Sequence, residues 1–484
     1  MKLLIDTIAE ILSGIFGFLF EGISGLTDKD ENQDSSFGNE GDFLSRHNTG
    51  FAVTSDKYLS MEDSLTHLLV TAGSGVGKST NTQIPGILHQ QNASIICMDN
   101  SGELEKNTAV PKSYDGYTTS TFDFDPKEFT EKTVFYNPLA WIEPNDKSAI
   151  AKVTSLLVGN MSEKKDYWTI KAEEVVNLAI SIVLHEEPKQ RHLYNVLYCI
   201  ESISVERDKM NRKVARMNDD IFRKYKLLLS NAPKTLDSIL SSAISMISWI
   251  GDNPKLAKLC SKNTIHFDDF RNKKVCLYIK VPLHNQALYQ PLINLFFTQF
   301  FNHILSSPLP EKGDRPILVF ADEFGSMHIP EYQTIISNCR KWFVGIQMLV
   351  QSQSQISEKY GNDGKDIVLA NCSKMYLAGL EKESEEISQL LGTKTLTDEK
   401  TGHTRQVPLM TASQIRTMKD KAIVLPKGGR KPLLVSLKPF YKKRAFVKLT
   451  QLTKEVEEEE VTPIEVALHP LSFDDTKNTN PKTK

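Results

Sequence analysis

At 484 residues the chain exceeds what one hydrophobic core usually supports, and its 40% hydrophobic and 24% charged residues leave room for two or three folded domains. A net charge of −2 excludes a global field for nucleic acid, so any such binding must come from local patches. Six cysteines (Cys97, Cys199, Cys260, Cys276, Cys339, Cys372) lie far apart, without the paired spacing of zinc sites or the density of a disulfide scaffold, and point to a reducing cytoplasm.

Residues 1–26 are rich in Ile, Leu and Phe, but their longest uncharged run, 11–20, is too short for a bilayer, which takes roughly 20 apolar residues. On a helix, Asp6, Glu10, Ser13, Gly14, Gly17, Glu21, Ser24 and Gly25 share one narrow face. This predicts an amphipathic helix that lies in a membrane interface, docks on a membrane protein or packs on its own domain. Asp6 and Glu10 interrupt the stretch that a signal peptide keeps basic and then apolar. Residues 27–44 read as a polar linker.

A strand-like run at 67–71 leads into Ala72, Gly73, Ser74, Gly75, Val76, Gly77, Lys78, Ser79 and Thr80, a P-loop with Ala72 in place of the usual first glycine. The glycines let backbone N–H groups turn inward around phosphates, Lys78 reaches the β and γ phosphates, and the Ser79 hydroxyl coordinates magnesium. The bland alternative is a flexible Gly-Ser linker. Residues 95–99 and 274–281 read as further core strands. A buried strand at 316–321 ends in Asp322 and Glu323, where Asp322 suits the magnesium shell and Glu323 suits orienting and polarising the attacking water. Gln351, at the end of the run 343–350, suits sensing of the γ phosphate or the water; the alternative is a solvated glutamine in a loop. These readings make Lys78, Glu323 and Gln351 the catalytic candidates, and Ser79 with Asp322 the metal ligands. They require neighbouring strands to bring the groups together.

Lys78 and Asp322 stand 244 positions apart, far more than the one or two βα units usual between such motifs, so something is inserted. Residues 145–269 carry helical patterns, including 166–185 and 233–250, and few strand signals. They predict an all-helical inserted domain between a first part (45–144) and a second part (270–450) of a nucleotide-binding domain. Its basic stretch 207–226, with Arg212, Lys213, Arg216, Arg223, Lys224 and Lys226, is either a solvated face or a DNA contact. Basic clusters at 427–431 and 442–444 offer the same two readings. Residues 451–484 open with an acidic run and predict a disordered tail, with docking of a basic DNA-processing protein as one possible role.

Taken in order, these motifs resemble the TraG/TraD-like coupling proteins of conjugative type IV secretion, which are related to RecA and to FtsK-type translocases. The resemblance covers about 45–445 and rests on several elements. Pro85 follows the P-loop lysine; Asp99 to Leu104 is close to Asp-x-Lys-Gly-Glu-Leu, with Ser101 where Lys is usual; Asn137-Pro138-Leu139 fits an Asn-Pro-Leu element. The strand and apolar helix at 277–282 and 291–305 precede Asp322-Glu323-Phe324, Ile329-Pro330, Gln351-Ser352, Gln355-Ile356, Tyr360-Gly361 and Asn371.

The resemblance implies an α/β fold: a RecA-like P-loop NTPase sheet flanked by helices, with an inserted all-α domain. It further implies a hexameric, Mg-ATP-dependent ATPase at the cytoplasmic face of a secretion channel. Such a motor recognises a relaxase–DNA complex through the inserted domain and pumps single-stranded DNA. It also implies nucleotide at subunit interfaces, completed by a neighbour's arginine, for which Arg340 is the candidate. Family members with two N-terminal transmembrane helices differ from this chain, where a single amphipathic segment stands in their place. Competing readings are a motor of the same architecture that moves protein or double-stranded DNA, and a scaffold that binds nucleotide without turnover.

Overall fold

The computed structural model describes residues 34–131, 133–158, 166–282, 285–326, 328–397, 402–455 and 462–473. The amphipathic segment expected at 1–26 lies outside them. No helix among the described residues is long and apolar enough to cross a membrane.

The described chain forms two units. The larger holds the strands β1 (Ala52–Thr54), β2 (Lys57–Tyr58), β3 (Leu68–Thr71), β4 (Ser94–Met98), β5 (Thr118–Asp123), β6 (Val275–Lys280), β7 (Ile317–Ala321), β8 (Val344–Val350) and β9 (Ser373–Tyr376). After the strands β10 (Thr393–Thr397) and β11 (Thr404–Pro408), which belong to the smaller unit, it adds β12 (Lys421–Leu425) and β13 (Leu433–Ser436). Nine of these make one sheet in the order β13-β12-β9-β3-β8-β7-β4-β6-β5. It is parallel from β9 to β5, with β12 and β13 antiparallel at one edge. Strands buried on both faces are mainly apolar, and β3, β4, β7 and β8 have no exposed residue, their polar members Thr71, Ser94 and Gln347 being buried too.

One face of the sheet is covered by the helix after the P-loop (Ile84–His89) and, around it, Leu68, Val70, Ile95, Cys97, Leu318, Phe320 and Leu349. The other packs on the apolar helix Gln286–Ser306, whose Phe296 and Phe300 meet Phe267, while Tyr136 donates from its hydroxyl to Gln299 Oε1 at 2.6 Å. That core runs without a break into the helices between β5 and β6: Lys147–Val158, Tyr167–Leu184, Leu193–Val205, Arg207–Val214, Asp219–Leu229 and Pro233–Gly251. Among the described residues of that stretch there is no strand, yet it falls in one unit with the sheet instead of forming a body of its own.

Two sequence readings need correction. The polar linker reading of 27–44 fails from residue 37 onward: the Asn39 side chain caps the turn Glu40–Asp42, Gly38 N–H donates to Pro432 O, and Phe43 and Leu44 are buried in the sheet unit. Phe43 and Leu44, at the end of an otherwise mostly polar stretch, are enough to anchor it. The disordered-tail reading of 451–484 fails as well for its described residues, 451–455 and 462–473. A helix, Arg444–Glu455, continues past 451, and residues 462–473 lie as a strap along the helical region, where Val466 and Leu471 are buried. Backbone groups tie the strap down: Ile464 N–H donates to Phe129 O, Gln190 Nε2 donates to Pro470 O and Asn195 Nδ2 to His469 O.

The smaller unit was not anticipated at all. Among the described residues it holds most of the helix Ser384–Leu391 and the antiparallel hairpin β10–β11, joined by residues 34–36 through Ser35 N–H to Thr393 O and by Thr395 donating to Asp34 Oδ1.

Candidate active site

Parallel strands present their loops at their carboxyl ends, and four adjacent ends converge here. Ala72 N–H continues the ladder to Val350 O, and Asp322 N–H reaches Met98 O, so Ala72, Gln351, Asp322 and Asp99 emerge at nearly one level. The expectation that β3 and β7 are neighbours is wrong: β8 lies between them. The consequence is favourable, because the intervening strand is the one that delivers Gln351 between the P-loop and the carboxylates.

In the P-loop, Gly75 and Gly77 adopt φ of 74° and 78°, a region closed to most side chains, and a Cβ on Gly77 would lie 2.7 Å from Thr80 Oγ1. Ala72 needs no such freedom, and its methyl is fully buried. Ser79–Gln83 forms a wide helical turn before Ile84–His89. Pro85 has no N–H to give to the preceding turn, which accounts for the wider winding.

The functional side chains meet. Ser79 Oγ donates to Asp322 Oδ1 at 3.3 Å, closing a gap of 243 residues in sequence. Lys78 Nζ folds back onto the carbonyls of Ala72 (3.2 Å) and Gly73 (3.4 Å). Gln351 Nε2 donates to Glu323 Oε1 at 2.9 Å. Glu323 has a left-handed φ of 56° that turns its side chain out of the line of β7. Val76, Ser74 and Thr80 complete the loop, Thr80 donating from its hydroxyl to Gly77 O.

Burial pushes the Asp322 carboxyl up to about 6, with Glu323 and Asp99 adding repulsion and the Ser79 hydroxyl and Lys78 opposing it. Burial also lowers the Lys78 ammonium, which Glu323 and Asp322 partly restore. Asp99 is raised by burial in turn, against the N–H groups of Glu105 and Leu104 that hold it. The Lys78 ammonium therefore faces the Glu323 and Asp322 carboxylates, and Asp99 adds further negative charge beside Asp322. A dication beside Ser79 Oγ and Asp322 fits this donor set of hard oxygens.

Sequence reasoning missed three features. Gly73 N–H donates to Ala378 O, and Gly379 lies so close that a Cβ on Gly73 would come within 3.0 Å of it; the glycine closing the apolar run after β9 was the available signal. The cation that the resemblance puts at position 101 is absent, but Lys280 approaches the same turn and pairs with Glu105 (3.2 Å) and Asp123 (3.6 Å). Gln355 accepts from Gln351 N–H at 2.8 Å. Arg340 does not join the site. It precedes β8, at the end of that strand opposite Gln351, and lies 3.9 Å from Glu62.

The family model described as "Type IV secretory system Conjugative DNA transfer" matches residues 27–463. The chain belongs to this family. Within it, the protein is similar to VirD4 of Rhizobium radiobacter (24% identity over 410 residues, 79% of this chain and 58% of that protein). It is also similar to the type IV secretion system-coupling protein VirD4 of Bartonella henselae (21% over 383 residues, 75% and 58%). The chain thus spans just under three fifths of the length of these curated relatives. Its fold resembles that of the bacterial conjugative coupling protein TrwBdeltaN70 in complex with sulphate (TM-score 0.62, 16% identity, 84% of this chain and 94% of that one). The plasmid coupling protein TrwB in complex with ADP and Mg2+ is equally similar (TM-score 0.61, 16% identity, 84% and 94%). An α/β, RecA-like P-loop fold is therefore common to the family member described here and to these coupling proteins.

Proposed function

We propose that the protein is an ATP-driven coupling protein that brings a relaxase–DNA complex to a type IV secretion channel and pumps single-stranded DNA toward it. The observation that carries the reading is the meeting of Ser79 with Asp322, flanked by Glu323 and Gln351, at the mouth of a P-loop. The family assignment and the nucleotide and Mg2+ named with TrwB support it.

In this reading residues 72–80 cradle the phosphates of ATP, and Lys78 offsets their charge. Magnesium, held by Ser79 and Asp322, supplies further charge neutralisation. Glu323 orients the attacking water and takes its proton, a task suited to a half-buried carboxylate beside a polar sensor. Gln351 binds the water or the γ phosphate once Glu323 is engaged. The active form is a hexamer at the inner face of the membrane, with Arg340 offered to a neighbouring subunit. Residues 1–26 attach the protein to the membrane or to a protein that spans it, and 145–269 select the substrate.

The test is hydrolysis of Mg-ATP by the purified full chain with and without single-stranded DNA, alongside conjugative transfer in cells. Lys78→Ala and Glu323→Gln should each lower turnover by at least ~100-fold and abolish transfer. Turnover that survives Glu323→Gln would leave a nucleotide-binding scaffold, and hydrolysis indifferent to DNA would favour a motor for protein substrates.

A further inference from the structure

The hydrogen bond from Gln351 Nε2 to Glu323 Oε1 occupies the carboxylate that the proposed reaction needs as a base. A carboxylate oxygen already accepting from an amide has a lone pair occupied and is turned away from a new donor. This contact is itself supported. Gln355 Oε1 accepts from Gln351 N–H at 2.8 Å, fixing the loop that carries Gln351. The same Gln355 side chain lies flat on Gly325, two residues past Glu323, where a Cβ would come within 2.5 Å of Oε1 and 2.8 Å of Cβ.

The turn that holds Glu323 is braced from its far side as well. Ser326 donates from both N–H (2.9 Å) and Oγ (2.8 Å) to Glu323 O, and Gln286, at the start of the helix Gln286–Ser306, donates to Ser326 Oγ at 2.9 Å. Glu323 keeps a left-handed backbone between these two supports. Such backbone is strained for a residue with a side chain and persists only where the surroundings impose it. Gln355 belongs to a short arm, residues 354–360, that ends at Gly361 (φ 72°, ψ 174°), a break inside the helix Ser354–Asn371. The arm's last residue, Tyr360, stacks on Phe324 (5.9 Å) and His328 (5.4 Å) and accepts from Ile329 N–H at 3.0 Å. Both ends of the arm therefore grip the segment that follows the carboxylates.

We infer that Gln355 is a positioning residue that holds Gln351 on Glu323, so that the resting protein keeps its base engaged until movement of the 354–360 arm releases it. The inference rests on the hydrolytic reading of the site and adds its regulation. It accounts for a glycine at 325, because any side chain there would displace Gln355. It also accounts for an amide, and not a charged group, at 351: an amide can bind Glu323 in one state and a phosphate oxygen in the other.

The experiment compares full-length wild type, Gln355→Met and Gly325→Ala, measuring Mg-ATP turnover with and without single-stranded DNA. Gln355→Met removes the acceptor while keeping the shape of the side chain, and Gly325→Ala dislodges it from the opposite side. Both should raise resting kcat, by on the order of fivefold for one lost hydrogen bond, leave KM for ATP near its wild-type value, and shrink the ratio of stimulated to resting turnover. A merely structural residue would lower both rates together. Stimulation ratios unchanged in both variants, with wild type active, overturn the latch alone; a wild type without turnover under either condition overturns the hydrolytic reading and the latch with it.

Discussion

His67, the residue before β3, is 1% exposed and holds three pieces of chain together with a neutral ring. Its Nε2–H donates to Ile336 O at 3.0 Å, its Nδ1 accepts from Ile346 N–H at 3.1 Å, and Cys339 Sγ lies 3.8 Å from Nε2. Protonation would put a second hydrogen where Nδ1 must accept. Burial above all, then the charges of Lys427 and Arg340, bring its pKa down to about 4 against the pull of the Ile336 carbonyl. The unfolded chain therefore binds the proton first. The stabilisation, about 3 kcal/mol for this shift, is complete above pH ~6.5 and is lost as pH falls through about 4. The Tm advantage of wild type over His67→Gln should accordingly shrink from pH 7 to pH 4.5 in thermal melts; parallel curves would refute it. Asp322 has the opposite sign. Its raised pKa means that the folded state pays for the ionised carboxylate above pH ~6, so Asp322→Asn should melt a few degrees higher at pH 7.5 while losing hydrolysis.

At the scale of elements, the parts that could be read in advance were those whose constraints are local. β3, β4, β7 and β8 are mainly apolar runs, with Gln347 the one large polar residue inside them, and they lead to residues that phosphate chemistry demands, so both strand and tip were legible. The order of the strands was not, because nothing in β3 or β7 says that β8 pairs between them. Gln355 was visible as part of a motif, but its hold on Gly325 and Gln351 depends on two loops meeting. The strap hid for another reason: Ile464, Val466 and Leu468 alternate as an extended segment should, but the acidic run at 455–460 dominates the composition around them. The strap is also a place where the tail contributes stability. Besides Val466 and Leu471, it accepts Lys213 Nζ on Ser472 O at 2.8 Å, which turns one cation of the basic stretch 207–226 inward, and Lys224 is paired with Asp220 at 3.2 Å. Burying two aliphatic side chains contributes roughly 3–5 kcal/mol at most. A chain ending at residue 461 should therefore melt several degrees lower in calorimetry, with ATP affinity unchanged, because no strap residue approaches the P-loop. Equal melting temperatures would mean that the strap merely rests on the surface.

At the scale of the molecule, the decisive feature is that one core serves both the sheet and the helices inserted into it. Ile279, Val319 and Met348 of the strands belong to the same buried cluster as Ile200, Ile247 and Trp249 of the helices. The helix Gln286–Ser306 joins them, Phe300 packing on Phe270 and Phe267 while Phe296 meets Phe122 at the edge of the sheet. A domain attached only through linkers would unfold on its own; parts that share a core should unfold together. Two tryptophans can report this separately. Trp249 sits in the helical region, 8% exposed, and Trp342 precedes β8 with its Nε1 donating to Ser307 O at 2.9 Å. In variants that keep only one of the chain's four tryptophans, Trp249 or Trp342, fluorescence melts should give the same midpoint. Mg-ATP at about 100 times its dissociation constant should raise both midpoints equally, by roughly 2–5 °C, although Trp249 lies outside the nucleotide site. The equality matters for mechanism, because a ligand that stabilises the helices through a common core also transmits to them the difference between nucleotide states. A midpoint at Trp249 that stays fixed while that at Trp342 rises would show the helical region to be energetically separate from the nucleotide site, and a shared core would then not be enough to link the two.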